Sequence, residues 1–169
     1  MNLEEKIKNN TQALFESISA LSEEKANAKI DDNTWSVLEC LEHIFLVDVG
    51  VSKTLIVDIT ADNKNDKSEL FSEGKLNYLL VDKRQDFKVP APDFVSPTGR
   101  FKTLVEAQKS IEVIIEKIIS HIKLNAIENE KQTIQHPRLG EMTKLDWVHF
   151  LMAHTKRHVL QIEEIKQKV

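Results

Sequence analysis

Between Lys144 and Gln167 apolar side chains return every third or fourth residue, and two imidazoles stand inside that stripe. His154 and His158 are four residues apart, so on a helix one lies above the other. Their face also carries Trp147, Leu151, Ile162 and Ile165, and the apolar face of an amphipathic helix turns into the protein. The pair therefore constrains the fold twice. It demands a helix, and it demands a buried partner opposite, since a polar group left unpaired in a core costs on the order of 1–3 kcal/mol. Core hydrogen bonding is one answer. A metal ion is another, with a third ligand to be found elsewhere in the chain.

The rest of the chain reads as partners for that helix. A first helix is predicted from Leu3 to Leu21 on the stripe Leu3, Ile7, Leu14, Ile18 and Leu21. Asn10 and Thr11 interrupt it, either as surface leakage or as pocket lining. A polar connector, Ala26 to Thr34, leads to Ser36-Val-Leu-Glu39, a capping box with Trp35 and Cys40 placed as its apolar staple. The second helix should run on to about Ile59. Cys40, His43, Leu46, Val47, Gly50 and Thr54 share one of its faces, so His43 also sits among apolar neighbours. A helical glycine costs roughly 1 kcal/mol relative to alanine, and Gly50 implies close approach of another element or of a ligand.

Residues 61–69 form a charged loop, and 70–100 hold three of the four prolines, Pro90, Pro92 and Pro97. A short helix over Lys75 to Lys83 is expected there, followed by an extended Pro90-Ala-Pro92, because proline pushes its predecessor out of the helical region. So long a connection reads as a crossover rather than a hairpin turn. Thr103-Leu-Val-Glu106 is a second capping box, opening a helix to about Leu124 with Leu104, Gln108, Ile111, Ile115, Ile118 and Ile122 inward. His121 falls off that stripe, at the rim or in solvent. Residues 125–142 are an irregular connector in which His136, before Pro137, is extended and Gly140 permits a tight turn. Thr143-Lys-Leu-Asp146 starts the last helix. The sum is all-α: a single domain, 1–169, folded as a four-helix bundle with a long connection between helices 2 and 3.

Composition enters where it excludes. A net charge of -4 offers no basic surface for a polyanion, so nucleic acid is not the expected partner. The apolar stretch from Ile44 to Ile59 is broken by Asp48, Lys53 and Asp58, and the N-terminus lacks the apolar core of a signal peptide; no membrane span is expected. The single cysteine cannot form an internal disulfide, which suits a reducing cytoplasm.

His43, His154 and His158 are thus the histidines on predicted core faces. Facing helices of a bundle can bring imidazole nitrogens to about 2 Å from one ion, and three protein ligands leave a position open for water or substrate. The ion would be divalent, with zinc, nickel, iron and manganese all open. The residues between the pair are Thr155, Lys156 and Arg157, with no glutamate to act as the base of a zincin. Glu39 reads as a cap rather than an outer partner of His43, and His149 lies too far round the helix to be a ligand. A pocket beside the site would draw on Cys40, Val47, Gly50, Trp147, Leu151 and His136, with further wall from the irregular segments. Cys40 as a small buried hydrophobe needs no other explanation.

Trp35-Ser36-Val-Leu-Glu39-Cys-Leu-Glu-His43-Ile and His154-Thr-Lys-Arg-His158-Val-Leu-Gln161-Ile162 resemble the two signatures of the DinB/YfiT-like superfamily. His136-Pro137-Arg-Leu139-Gly140 followed by Trp147 resembles the segment before the last helix in one branch of it. The resemblance spans essentially the whole chain. It implies a four-helix bundle, often a homodimer, and a divalent metal on His43, His154 and His158. It also implies an activity on a small molecule. Some relatives transfer a low-molecular-weight thiol, bacillithiol or mycothiol, to an electrophile in detoxification or stress. Others are assigned as metal-dependent hydrolases, in which metal-bound hydroxide attacks a carbon centre. A non-enzymatic, dimeric binding protein with a structural metal is the reading from another class.

Overall fold

The computed structural model describes residues 1–57, 71–86, 90–125, 127 and 131–169. Six α-helices and a small hairpin follow one another: α1 (Leu3–Ile18), α2 (Glu23–Asn27), α3 (Val37–Leu55), α4 (Glu73–Asn77), α5 (Leu104–Asn125), β1 (Thr133–His136), β2 (Gly140–Thr143) and α6 (Lys144–Lys166). The four long helices, α1, α3, α5 and α6, form the bundle. Each of α1 and α3 packs against both α5 and α6. The helix carrying His43 and the helix carrying the histidine pair are therefore neighbours.

Local chemistry sets the boundaries. Ser36 accepts from the Glu39 amide at 3.2 Å while the Glu39 carboxylate accepts from the Ser36 amide at 2.8 Å, completing the box. Thr103 with Glu106 and Thr143 with Asp146 make the same exchange at the starts of α5 and α6. The first helix is shorter than its apolar stripe, ending at Ile18, because Ser22 accepts from the Lys25 amide and starts a new turn, α2, which overlaps only the first two residues of the expected connector. The second long helix stops at Leu55 rather than near Ile59. The short helix expected over Lys75 to Lys83 is present as α4 and a π-helical turn, Tyr78–Asp82, both packed on α6. The charged loop 61–69 lies outside the described residues.

The connector 125–142 is more ordered than its sequence suggests. It holds an antiparallel hairpin in which Thr133 faces Thr143 and His136 faces Gly140. His136 is extended, as its place before proline requires, and Gly140 turns the chain with φ of +90°. Among the described residues no helix is long and apolar enough to cross a membrane.

Polar residues inside α1 turn out to be neither surface leakage nor pocket lining. Asn10 is buried and donates from Nδ2 to the Met152 carbonyl at 3.1 Å, tying α1 to α6, and Thr11 donates to the Ile7 carbonyl of its own helix at 3.0 Å. Gly50 is not there for close approach of another element, since a Cβ on it would meet nothing within 4 Å. It opens on the cavity described below. Gly50→Ala should therefore raise stability by about 0.5–1 kcal/mol in urea unfolding, the helical propensity difference without a steric cost. A loss of stability would show that the position is tighter than this geometry.

Candidate metal centre

His43 projects from α3 one turn after its capping box, and His154 and His158 project from adjacent turns of α6. All three are buried, at 5, 7 and 5% exposure. Their ring nitrogens converge: His154 Nε2 lies 3.1 Å from His43 Nε2 and 3.1 Å from His158 Nε2. Nitrogens at about 2 Å from a common ion sit about 3.0–3.4 Å apart, so the two contacts of His154 have the spacing of neighbouring ligands around one centre. One ligand atom from each residue falls within 4.8 Å of the others, a cluster that could hold a metal ion.

The far side of two rings fixes which nitrogen carries the proton. His43 Nδ1–H donates to the Val95 carbonyl at 2.7 Å, and His158 Nδ1–H donates to Gln161 Oε1 at 2.9 Å. Both Nε2 atoms then present lone pairs to the centre, the arrangement a metal-binding imidazole adopts. Two lone pairs aimed at one point repel unless something positive lies between them, a proton on His154 or a cation. His154 Nδ1 is buried without a partner among the described residues. Burial, first of all, pushes the pKa of all three below the ordinary imidazole value, that of His158 to about 3, and the neighbouring charges add to it. The site is thus built for neutral rings.

The carbonyl that orients His43 is itself held in place. Val95 ends a 3₁₀ turn, Asp93–Val95, and the loop after it is pinned by Glu42 from α3. The Glu42 carboxylate accepts from the Thr98, Gly99 and Arg100 amides at 2.8, 3.0 and 2.9 Å, and from the Thr98 hydroxyl at 2.9 Å. Burial pulls this carboxyl upward, but the hydrogen bonds outweigh it and keep the pKa below the usual range. Gln161 supports the other side. Gln161→Leu should weaken zinc binding by about 10–100-fold, the usual effect of losing an outer hydrogen bond, read by competition against a chromophoric chelator. Unchanged affinity would mean that packing alone orients His158.

The centre faces a cavity of about 1140 Å³. Of the residues expected around a pocket, Val47, Gly50, His136 and Trp147 line it. Cys40 and Leu151 do not, and both are fully buried. Cys40 lies one turn before His43, whereas the cavity runs along α3 the other way, from His43 to Thr54. Leu151 lies about 60° round α6 from His154, past the arc that ends at His158. Burial also pushes the Cys40 thiol up to about 12. Glu39 keeps its capping role and pairs with Lys29. His149 stays out of the cluster, with Glu73 and Asp146 as its charged neighbours.

Several contributors were not singled out from the sequence. The Trp35 ring covers His43 and His158, at 4.9 and 6.5 Å between centroids, where a staple onto Cys40 was expected. Arg157 also lines the cavity, and its charge depresses the pKa of all three histidines. Its place between the paired histidines was a usable signal, as was Gln161 one turn beyond His158. The Val95 carbonyl and Glu42 left none.

An all-α bundle in which two adjacent helices converge three histidines on a cavity defines a class of helical proteins with a possible metal site. The DinB superfamily model matches residues 6–162, and the chain belongs to that superfamily. It is similar to "Uncharacterized protein YuaE" of Bacillus subtilis (strain 168), 28% identical over 152 residues that cover 90% of each chain. No solved structure matches the chain significantly.

Proposed function

We propose that the chain is a metal-dependent transferase that joins a low-molecular-weight thiol to an electrophilic small molecule. The observation that carries this reading is the donor set: three buried imidazoles, with no carboxylate in the cluster among the described residues, at the wall of a large cavity. His43, His154 and His158 would hold the ion. A divalent ion held there would supply the positive charge that favours the thiolate form of a thiol co-substrate. Arg157 adds positive charge beside the site and favours the anionic form further.

The cavity exceeds the usual volume for one small ligand, about 300–1,000 Å³, which leaves room for a thiol and its acceptor together. Hydrolysis is the runner-up. It calls for a positioned base, and the carboxylate on the described cavity wall, Glu164, is tied to Arg84. The decisive experiment uses zinc-loaded protein with cysteine, coenzyme A, bacillithiol and mycothiol against an alkylating electrophile, and a nitrophenyl ester without thiol. Thiol-dependent turnover supports the transferase. Ester cleavage alone replaces it with the hydrolase. Turnover of neither, in fully metallated protein, replaces both with a binding bundle whose metal is structural.

A further inference from the structure

His136 stands on the cavity wall away from the three convergent histidines, and its ring is fixed from one side. Nδ1 accepts hydrogen bonds from the Arg138 and Leu139 amides, both at 3.1 Å. An imidazole nitrogen that accepts two N–H groups carries no proton, so in the neutral ring the hydrogen is on Nε2. Trp147 and Phe150 hold the ring at 4.8 and 4.7 Å between centroids. Its Nε2–H has no hydrogen-bond partner among the described residues, although the side chain lines the cavity. Capping the hairpin turn accounts for Nδ1 and leaves the far nitrogen unexplained.

Phe150 links this residue to the centre. Its ring lies 5.4 Å from that of His154. The donor and the histidine cluster therefore share the Phe150 ring as a neighbour and line the same cavity. The cavity wall carries aromatic surface from Trp147, Phe150 and Trp35. Such a wall suits a flat conjugated molecule with one oxygen to satisfy.

We propose that His136 is a catalytic residue whose Nε2–H donates a hydrogen bond to the carbonyl oxygen of an electrophile conjugated to its reacting carbon, an enone or quinone. The nucleophile is the thiolate of the thiol-transfer reading, on which this substrate class rests. The thiolate sulfur bonds to the β-carbon, and the carbon–carbon π pair shifts towards the carbonyl oxygen. The enolate oxygen that forms draws on the His136 hydrogen bond, and a proton from water goes to the α-carbon. His136 keeps its own proton throughout. Burial, with the charge of Arg138, lowers its pKa to about 4, so at neutral pH it polarises the carbonyl as a neutral donor.

His136→Asn and His136→Gln separate the two nitrogens. Asparagine can place an acceptor near the Nδ1 position and keep the turn, while glutamine can place an N–H near the Nε2 position. Binding of acetophenone and of ethylbenzene, alike in shape except for the carbonyl, is followed by fluorescence of Trp35 and Trp147. Wild type and His136→Gln should prefer acetophenone by about five- to tenfold, the worth of one neutral hydrogen bond, and His136→Asn should bind both alike. A preference retained by His136→Asn overturns the assignment. Nitrogen NMR of the wild-type ring decides it without any variant, because an Nδ1–H tautomer overturns it as well. In the kinetic arm, His136→Asn should slow thiol addition to an enone more than addition to benzyl bromide; slowing both equally overturns the carbonyl role. If wild type turns over neither electrophile, the thiol-transfer reading fails, while the binding preference still decides whether His136 is the donor.

Discussion

Replacing His154 and His158 together by alanine should abolish divalent-metal binding. Wild-type protein incubated with zinc and desalted should carry about one ion per chain, and the double variant none, measured by elemental analysis. Losing a single outer hydrogen bond around a metal site already costs about 10–100-fold in affinity, and this variant leaves His43 as the sole ligand of the three. The change is also tolerable to the fold. His154 Nδ1 is already a buried polar atom without a partner among the described residues, so its removal relieves one cost while it opens space beside the cavity. Circular dichroism of the variant should remain helical. An ion retained by the variant, or a wild type that stays empty after zinc, nickel, iron and manganese, would show that the three nitrogens converge for some other reason.

Metal-free protein should lose stability steeply between pH 6.5 and pH 4. A histidine with a folded pKa below its unfolded value binds fewer protons when folded. Its contribution is complete above the unfolded value, near 6.5, and is lost as pH falls toward the folded one. For His158, with a folded value of about 3, this amounts to about 3 kcal/mol between pH 7 and pH 4. His154, also pushed well down by burial, adds a loss of the same sign. Asp48 opposes them. It is buried in α3 with both oxygens unpartnered among the described residues, and burial raises its pKa well above the usual value. Its contribution is complete below about 3.8 and is lost as pH rises, so acid relieves it. Asp48 is one carboxyl against several depressed imidazoles, His136 among them, and the histidines win. Urea unfolding should show lower stability at pH 4 than at pH 7, and Asp48→Asn should widen that difference. A flat profile would mean that the imidazoles are not held neutral.

Much of this was legible in the sequence because it rests on local rules. Ser36 with Glu39, Thr103 with Glu106 and Thr143 with Asp146 start their helices by contacts three residues long. A pair of imidazoles on one helical stripe, with His43 on another, gave a centre once the two helices met. His136 and Gly140 likewise took the backbone shapes their neighbours impose. What was missed depends on distance along the chain. Glu42 looks like a surface glutamate until the loop 98–100 wraps onto it, and Asn10 looks misplaced until the Met152 carbonyl arrives from α6. The hairpin escaped because four residues a side give too little alternation to outweigh the polar run around them. Cys40 and Leu151 were assigned to the pocket from sequence proximity to its histidines, yet one turn along a helix, or a sixth of a turn around it, was enough to bury them elsewhere.

The position of that cysteine has a consequence of its own. The chain contains one thiol, sealed in the core and protonated far beyond neutral pH. Alkylating compounds that enter the cavity find no sulfur of the protein's own to modify. A host for such compounds would otherwise be consumed by its cargo, titrated away one molecule at a time. On the reading proposed above, an electrophile in the described cavity would meet no thiol of the protein, so the thiol it consumes would be the co-substrate's.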